Sequence, residues 1–251
     1  MNRLFCWITV SFSLLAGNAV EAQILDYFSL TLTGVTDYEF RGVSQTANDS
    51  AFQGSLDFEH DTGFYAGWWW SSSLDFEQCC GESWEFDYYG GYASEIGETG
   101  IGYDVGVVYY DFPGTNEDLD YTEFYVGTSY EFIDFKFWWT PNFFSIGKNA
   151  RYLDLNLNFE LPYDIGLVLH GGYTDGRALD PEFADLTGLS DYFDYSVALG
   201  YSLGPIDLEV KWVDTDLSGD FKISNGALQN DSRVIFTIST TLPWDNGGGE
   251  E

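Results

Sequence analysis

Between residues 153 and 161 the chain alternates without a break: Leu153, Leu155, Leu157, Phe159 and Leu161 carry one parity, and Asp154, Asn156, Asn158 and Glu160 carry the other. Successive side chains of a β-strand point to opposite faces, so this segment has one oily side and one wet side. The same period returns along the chain. Phe28, Leu30 and Leu32 oppose Ser29, Thr31 and Thr33; Phe52, Leu56 and Phe58 oppose Gln53, Ser55, Asp57 and Glu59; and the stretches Ile101 to Tyr109, Ile165 to Leu169, Tyr195 to Tyr201, Ile206 to Trp212 and Val234 to Ile238 read alike. Past Gln23 no stretch sustains a helical period. The pattern predicts an all-β chain of about twelve strands.

Alternation does not by itself separate a soluble sandwich from a membrane barrel, since both bury one face of every strand. The connections discriminate better, running long and then short: Asp37 to Asp49, then Asp61-Thr62-Gly63; Glu77 to Glu82, then Glu95 to Gly100; Pro113 to Leu119, then a turn near Glu131; Pro141 to Asn149, then Pro162-Tyr163; Asp175 to Ser190, then Leu203-Gly204-Pro205; and finally Asp216 to Asp231. Outer-membrane barrels have short periplasmic turns, longer extracellular loops and an even strand number. The expected architecture is therefore a transmembrane antiparallel up-and-down β-barrel with both termini in the periplasm. Trp68, Trp70, Trp84, Trp139 and Trp212 have the outward parity and fall towards the long-loop ends, where an interfacial aromatic girdle belongs.

Asn2 and Arg3 precede an apolar run from Leu4 to Ala16, and small and polar residues follow up to Gln23. This is the layout of a secretory signal peptide, too short for a spanning helix. Cleavage is expected after Ala22, with Ala19 as the alternative. The domain reading is then a signal peptide at 1–22, a barrel at 23–244 and an acidic, glycine-rich tail at 245–251. That tail departs from the usual barrel ending on an aromatic residue, since Trp244 follows Pro243 and is not terminal. The chain carries a net charge of −32, which the loss of Arg3 and Glu21 leaves unchanged and which repels nucleic acid. An aromatic content of 19% argues against disorder. Cys79 and Cys80 form either a vicinal disulfide or two thiols; a metal role lacks a nearby His.

The segment Val35-Thr36-Asp37-Tyr38-Glu39-Phe40-Arg41-Gly42-Val43-Ser44-Gln45-Thr46 resembles the opening signature of the TorF family of porins, a proteobacterial outer-membrane group first described as conserved hypothetical proteins. Gly63 to Trp68, Asp87 to Tyr92, His170 to Tyr173 and Asp194 to Val197 resemble the rest of that pattern in order. The resemblance spans nearly all of the chain after the signal peptide. It implies a porin-like outer-membrane barrel and carries over no catalytic residue.

In a barrel the polar parity points inward, which places Glu39, Arg41, Asp57, Glu59, Lys136, Asp154, Glu209, Lys211 and Arg233 on the lumen wall, with Gln53, Glu85, Asp87, Asp104, Glu123, Asp134, Glu160 and Asp207. Carboxylates dominate, and a wall of like charge around a narrow passage concentrates cations. Arg41 is expected at the top of the first strand and Arg233 at the start of the last. Closure makes those strands neighbours, so the two guanidinium groups either form a cationic patch facing the acidic wall or brace it by pairing with Glu39 and nearby acids. A twelve-stranded barrel lies between filled and open ones, and a narrow or partly plugged passage is expected.

Asp214 to Asp220 imitates the start of an EF-hand loop, but Asn225 stands where a bidentate Glu is needed. No metal or other cofactor is expected, although divalent cations could bridge acidic loops to lipopolysaccharide. His170 with Ser196 and Asp194 on the adjoining strand is the one set that invites a catalytic reading. No nucleophile motif accompanies it, and a lumen-lining histidine is the simpler account. The sequence thus points away from an enzyme and towards an outer-membrane channel for small polar or cationic solutes. A non-conducting structural or adhesive barrel is the alternative, and a soluble sugar-binding sandwich stands third.

Overall fold

The computed structural model describes residues 27–76, 81–180, 182, 189–224, 226 and 228–243. The expected signal peptide, Cys79 and Cys80, Asn225, Trp244 and the tail lie outside them. Twelve strands among the described residues close into one antiparallel barrel: β1 (Phe28–Val35), β4 (Ala51–Glu59), β5 (Phe64–Phe76), β6 (Gly81–Glu95), β7 (Ile101–Asp111), β8 (Tyr121–Tyr130), β9 (Ile133–Thr140), β10 (Ala150–Leu161), β11 (Ile165–Asp175), β12 (Tyr192–Leu203), β13 (Ile206–Thr215) and β14 (Arg233–Leu242). Each pairs with its sequence neighbours, and β1 closes the ring against β14, Leu30 opposite Leu242 and Val35 opposite Thr237. Two further short strands, β2 (Glu39–Phe40) and β3 (Val43–Ser44), form a hairpin of their own inside the first long connection.

The long and short connections segregate as the sequence predicts. One end carries 36–50, 77–80, 112–120, 141–149, 176–191 and 216–232; the other carries 60–63, 96–100, 131–132, 162–164 and 204–205. The second long connection is shorter than the Glu77 to Glu82 loop read from the sequence, because β5 and β6 run on past the neighbouring strands, with a register shift between Ser71 and Leu74.

The outer face is apolar nearly all the way round. Phe52, Leu56, Val105, Leu155, Val197, Leu199, Phe236 and Ile238 are exposed there, far beyond the few hundred Å² of apolar patch that a water-soluble monomer tolerates. Hydrocarbon is the solvent that fits such a surface, and a closed barrel is the one β-arrangement that leaves no backbone edge unpaired in it. Trp68, Trp84, Trp139 and Trp212 are exposed on this face, and Trp70 shares it, packed between Phe52 and Trp84.

The inner face holds a feature that composition alone does not predict. Tyr65 lies over Gly91, Tyr89 over Gly67 and Tyr125 over Gly106, each pair facing across adjacent strands. A Cβ on Gly91 would fall 2.6 Å from the Val105 carbonyl oxygen and closer still to the Tyr65 hydroxyl. The recurring glycine–tyrosine segments are thus sockets and the rings that fill them. For the lipid face, Leu155→Arg is expected to cost about 2–4 kcal/mol near mid-barrel, measured by denaturant titration of tryptophan fluorescence in lipid vesicles.

Candidate functional site

The first long connection does not stand outside the barrel; it turns inward. Its hairpin closes through Arg41 and Gly42, both at positive φ (52° and 81°), the geometry of a two-residue type I′ turn. Glycine is needed at the second position on two counts. Its φ suits no side chain well, and a Cβ would fall 2.6 Å from Thr215 Cγ2 and 2.7 Å from Asp194 Cβ on the far wall. Asp37 anchors the base by accepting from Ser44 Oγ (2.5 Å) and Thr46 Oγ1 (3.1 Å), and the Gly42 N–H donates to the Glu39 carboxylate.

From this base the hairpin reaches most of the wall. Arg41 pairs with Glu123 on β8 at 2.6 Å and lies 4.6 Å from the Phe40 ring centre and 4.4 Å from that of Tyr152. Lys211 on β13 pairs with Glu39 at 2.5 Å, and Arg233 on β14 pairs with Asp37 at 2.6 Å while donating to the Gly42 carbonyl at 3.0 Å. Tyr38 packs against Trp69, Phe40 against Tyr110, and the Tyr192 hydroxyl donates to the Arg41 carbonyl. Val43 joins an aromatic cluster of Tyr110, Phe112, Tyr121 and Tyr192, to which other long loops add Phe143, Leu179 and Leu217. Glu123 is 0% exposed and Asp37 1%. At this level the lumen is sealed.

Towards the short-turn end the interior is a half-buried acidic vestibule. Asp57 accepts from Tyr89 and from Ser55 (2.6 Å); Asp104 accepts from Tyr65 (2.6 Å) and pairs with Lys136 (2.9 Å); Asp134 accepts from Asn158 (2.6 Å); and Asp154 accepts from Asn156 (2.7 Å). Glu59 and Glu209 share this face. The Lys136, Asp104 and Asp154 side chains keep about a fifth of their surface open to water, as against none for Glu123. On β12, β14 and β1 the inner face carries small side chains instead, Ser196, Ala198, Gly200, Thr237, Ser239, Thr31 and Thr33, while β13 between them carries Asp207, Glu209 and Lys211.

The nine sequence-derived residues therefore face the interior but fall into two groups. Glu39, Arg41, Lys211 and Arg233 belong to the seal; Asp57, Glu59, Lys136, Asp154 and Glu209 belong to the vestibule. Two expectations need correction. Arg41 does not close the top of the first strand, because β1 ends at Val35 and the hairpin carries Arg41 into the lumen. Nor do Arg41 and Arg233 form a cationic patch: each guanidinium is spent on its own carboxylate, Glu123 and Asp37, and Glu39 is taken by Lys211. Asp37 escapes sequence reasoning as a site residue, since it sits at the mouth of a loop with no strand periodicity. His170 has both ring nitrogens engaged, Nδ1 with Asn156 (2.9 Å) and Nε2 with Asp194 (2.8 Å).

Fold and interior together define a closed twelve-stranded transmembrane barrel with a charged lumen. Over residues 22–242 the chain belongs to the family described as bacterial proteins of unknown function, Gcw_chp. Two solved structures share the architecture. The NanC porin is 12% identical, with 84% of this chain and 98% of that chain covered and a TM-score of 0.54. An outer membrane channel from Pseudomonas putida F1 is 11% identical, with 86% and 94% covered and a TM-score of 0.50. At these identities the likeness is one of fold. No curated protein matches the chain.

Burial by itself pushes the Glu39 carboxyl up, but the Lys211 ammonium, the Gly42 N–H and Arg233 outweigh it and hold Glu39 at about 2 against an ordinary 4.5. A lowered carboxylate contributes stability above its ordinary range and loses it as pH falls through the lowered value. Glu39→Gln is expected to cost about 1–3 kcal/mol near neutrality. In melting curves of detergent-solubilised protein the gap to the unaltered chain narrows below about pH 4.5 and closes near 2.

Proposed function

We propose that the protein is an outer-membrane channel of a Gram-negative bacterium for passive passage of small polar or cationic solutes. Residues 1–22 serve as a cleaved signal peptide, 23–244 as the barrel and 245–251 as a periplasmic tail, with the long loops facing outward. The observation that carries this reading is the contrast between the faces: an apolar belt outside, and inside a vestibule where Asp57, Glu59, Asp104, Asp134, Asp154 and Glu209 surround water-reached space. Carboxylates collected inside a low-dielectric wall raise the local cation concentration and turn anions away. The fold shared with the NanC porin and the Pseudomonas putida channel supports the reading. So does the TorF-like segment, which coincides with the hairpin.

The complete burial of Glu123 beneath Arg41 favours a second reading, a non-conducting structural or adhesive barrel whose acidic outer loops meet lipopolysaccharide, with or without bridging divalent cations. Planar-bilayer recording of refolded protein separates the two. In a salt gradient the channel is expected to show a cation-selective reversal potential. The combined change Asp57→Asn, Glu59→Gln and Glu209→Gln is expected to lower the cation-to-anion permeability ratio at least about twofold. Silence at every salt concentration and voltage in protein that still shows heat-dependent gel mobility would sink the channel.

A further inference from the structure

We propose that the hairpin spanning Tyr38 to Ser44 is a gate, which lifts its tip out of the lumen to conduct and latches it through Arg41–Glu123 and Glu39–Lys211 to close. The proposal rests on the channel reading and assigns its regulation.

The base and the tip of the hairpin are held in different ways. At the base the attachment is main-chain: Ser44 N–H donates to the Gln229 carbonyl (2.7 Å), Asp75 N–H to the Gln45 carbonyl (2.9 Å) and Gln45 N–H to the Tyr38 carbonyl (2.7 Å). The tip is held by side chains, above all the charge pairs to Glu123 and Lys211 on different strands. A segment tied at one end by the backbone and at the other by separable ion pairs has a hinge and a latch.

The closed state also carries costs that an open one would shed. Arg41 Nη1, Glu123 Oε1, Arg233 Nη2 and Asp194 Oδ2 are buried without a hydrogen-bond partner. A buried polar atom left unmet is penalised by its full desolvation, and all four lie where the tip touches the wall. Arg41 holds a left-handed φ of 52° that a non-glycine residue adopts at a cost. Raising the tip hydrates these atoms and frees the turn, which offsets the breaking of the two ion pairs and of the Arg233 and Tyr192 bonds to the tip carbonyls, and the exposure of Val43 and the stacked rings. Opposing terms of similar size are the condition for two populated states.

The geometry also says what opening exposes. Beneath the tip lies the vestibule, where the small inner side chains of β12, β14 and β1 stand beside the tyrosines and carboxylates of the other strands. Removing the obstruction therefore joins the vestibule to the long-loop mouth.

Single-channel recording tests the proposal on three proteins: the unaltered chain, Glu123→Gln, and a chain in which residues 39–44 are replaced by two glycines. The unaltered chain is expected to rest closed with brief openings. Glu123→Gln is expected to raise the open probability about tenfold or more, the equivalent of losing one charge-assisted hydrogen bond, with the open-state conductance unchanged. The shortened chain is expected to stay open at that conductance or above. Openings in Glu123→Gln no more frequent than in the unaltered chain would overturn the gate in favour of a fixed plug, and this variant decides alone should the shortened chain not fold. An unaltered chain that rests at the conductance of the shortened one would also overturn it, since the hairpin would then obstruct nothing. No current from a shortened chain with the gel mobility of a folded barrel would remove the channel reading itself.

Discussion

The ladder between β14 and β1 joins strands from opposite ends of the chain and takes the last unpaired backbone edge out of a sheet surrounded by hydrocarbon. Lipid offers no hydrogen bonds, and each unmet N–H or carbonyl in it costs several kcal/mol. The apolar belt of Leu155, Val197, Phe236 and their neighbours is tolerable only because that ring is complete. Closure also dictates what the other parity must do. Every polar side chain that alternates with the belt is driven into one shared interior, where a chain of net charge −32 has to accommodate its acids.

The interior solves that problem differently at its two ends. In the vestibule the carboxylates are separated and softened by tyrosine hydroxyls, asparagine amides and Lys136, and water reaches them. Near the long-loop end water is displaced by aromatic rings, and there a bare carboxylate would be expensive. Glu123, Asp37 and Glu39 each receive one cation at 2.5 to 2.6 Å, and the first long connection supplies a member of every pair. Three of the scarce basic residues, Arg41, Lys211 and Arg233, are placed there.

The strand pattern is legible because a lipid-facing parity has no competing preference: Leu153 to Leu161 can read as nothing else. The same parity tells which charged residues turn inward, but not whom they meet. Arg41 and Glu123 are 82 residues apart and Asp37 and Arg233 are 196 apart, so no local spacing announces either pair. The hairpin itself hides behind an unusual turn, Arg-Gly in place of the Asn-Gly or Asp-Gly that signals a type I′ connection. Tyrosine misleads in another way. Its ring suits lipid and its hydroxyl suits a wet lumen, so residue type does not say that Tyr65, Tyr89, Tyr110 and Tyr125 point in while Tyr88 and Tyr109 point out. For Tyr65, Tyr89 and Tyr125 a glycine on the neighbouring strand is the usable sign.

One ion pair ties two of these themes together. Asp37 hangs just beyond the first strand, and Arg233 opens the last, so their contact straddles the joint where the cylinder is completed. The guanidinium that meets Asp37 also grips the Gly42 carbonyl at the hairpin tip. Zipping the final strand onto the first therefore brings the clasp for the inner hairpin into position in the same motion. In the biogenesis of such a barrel, finishing the wall and fastening this clasp of its stopper become a single step, which adds to the holds that Glu123 and Lys211 already provide.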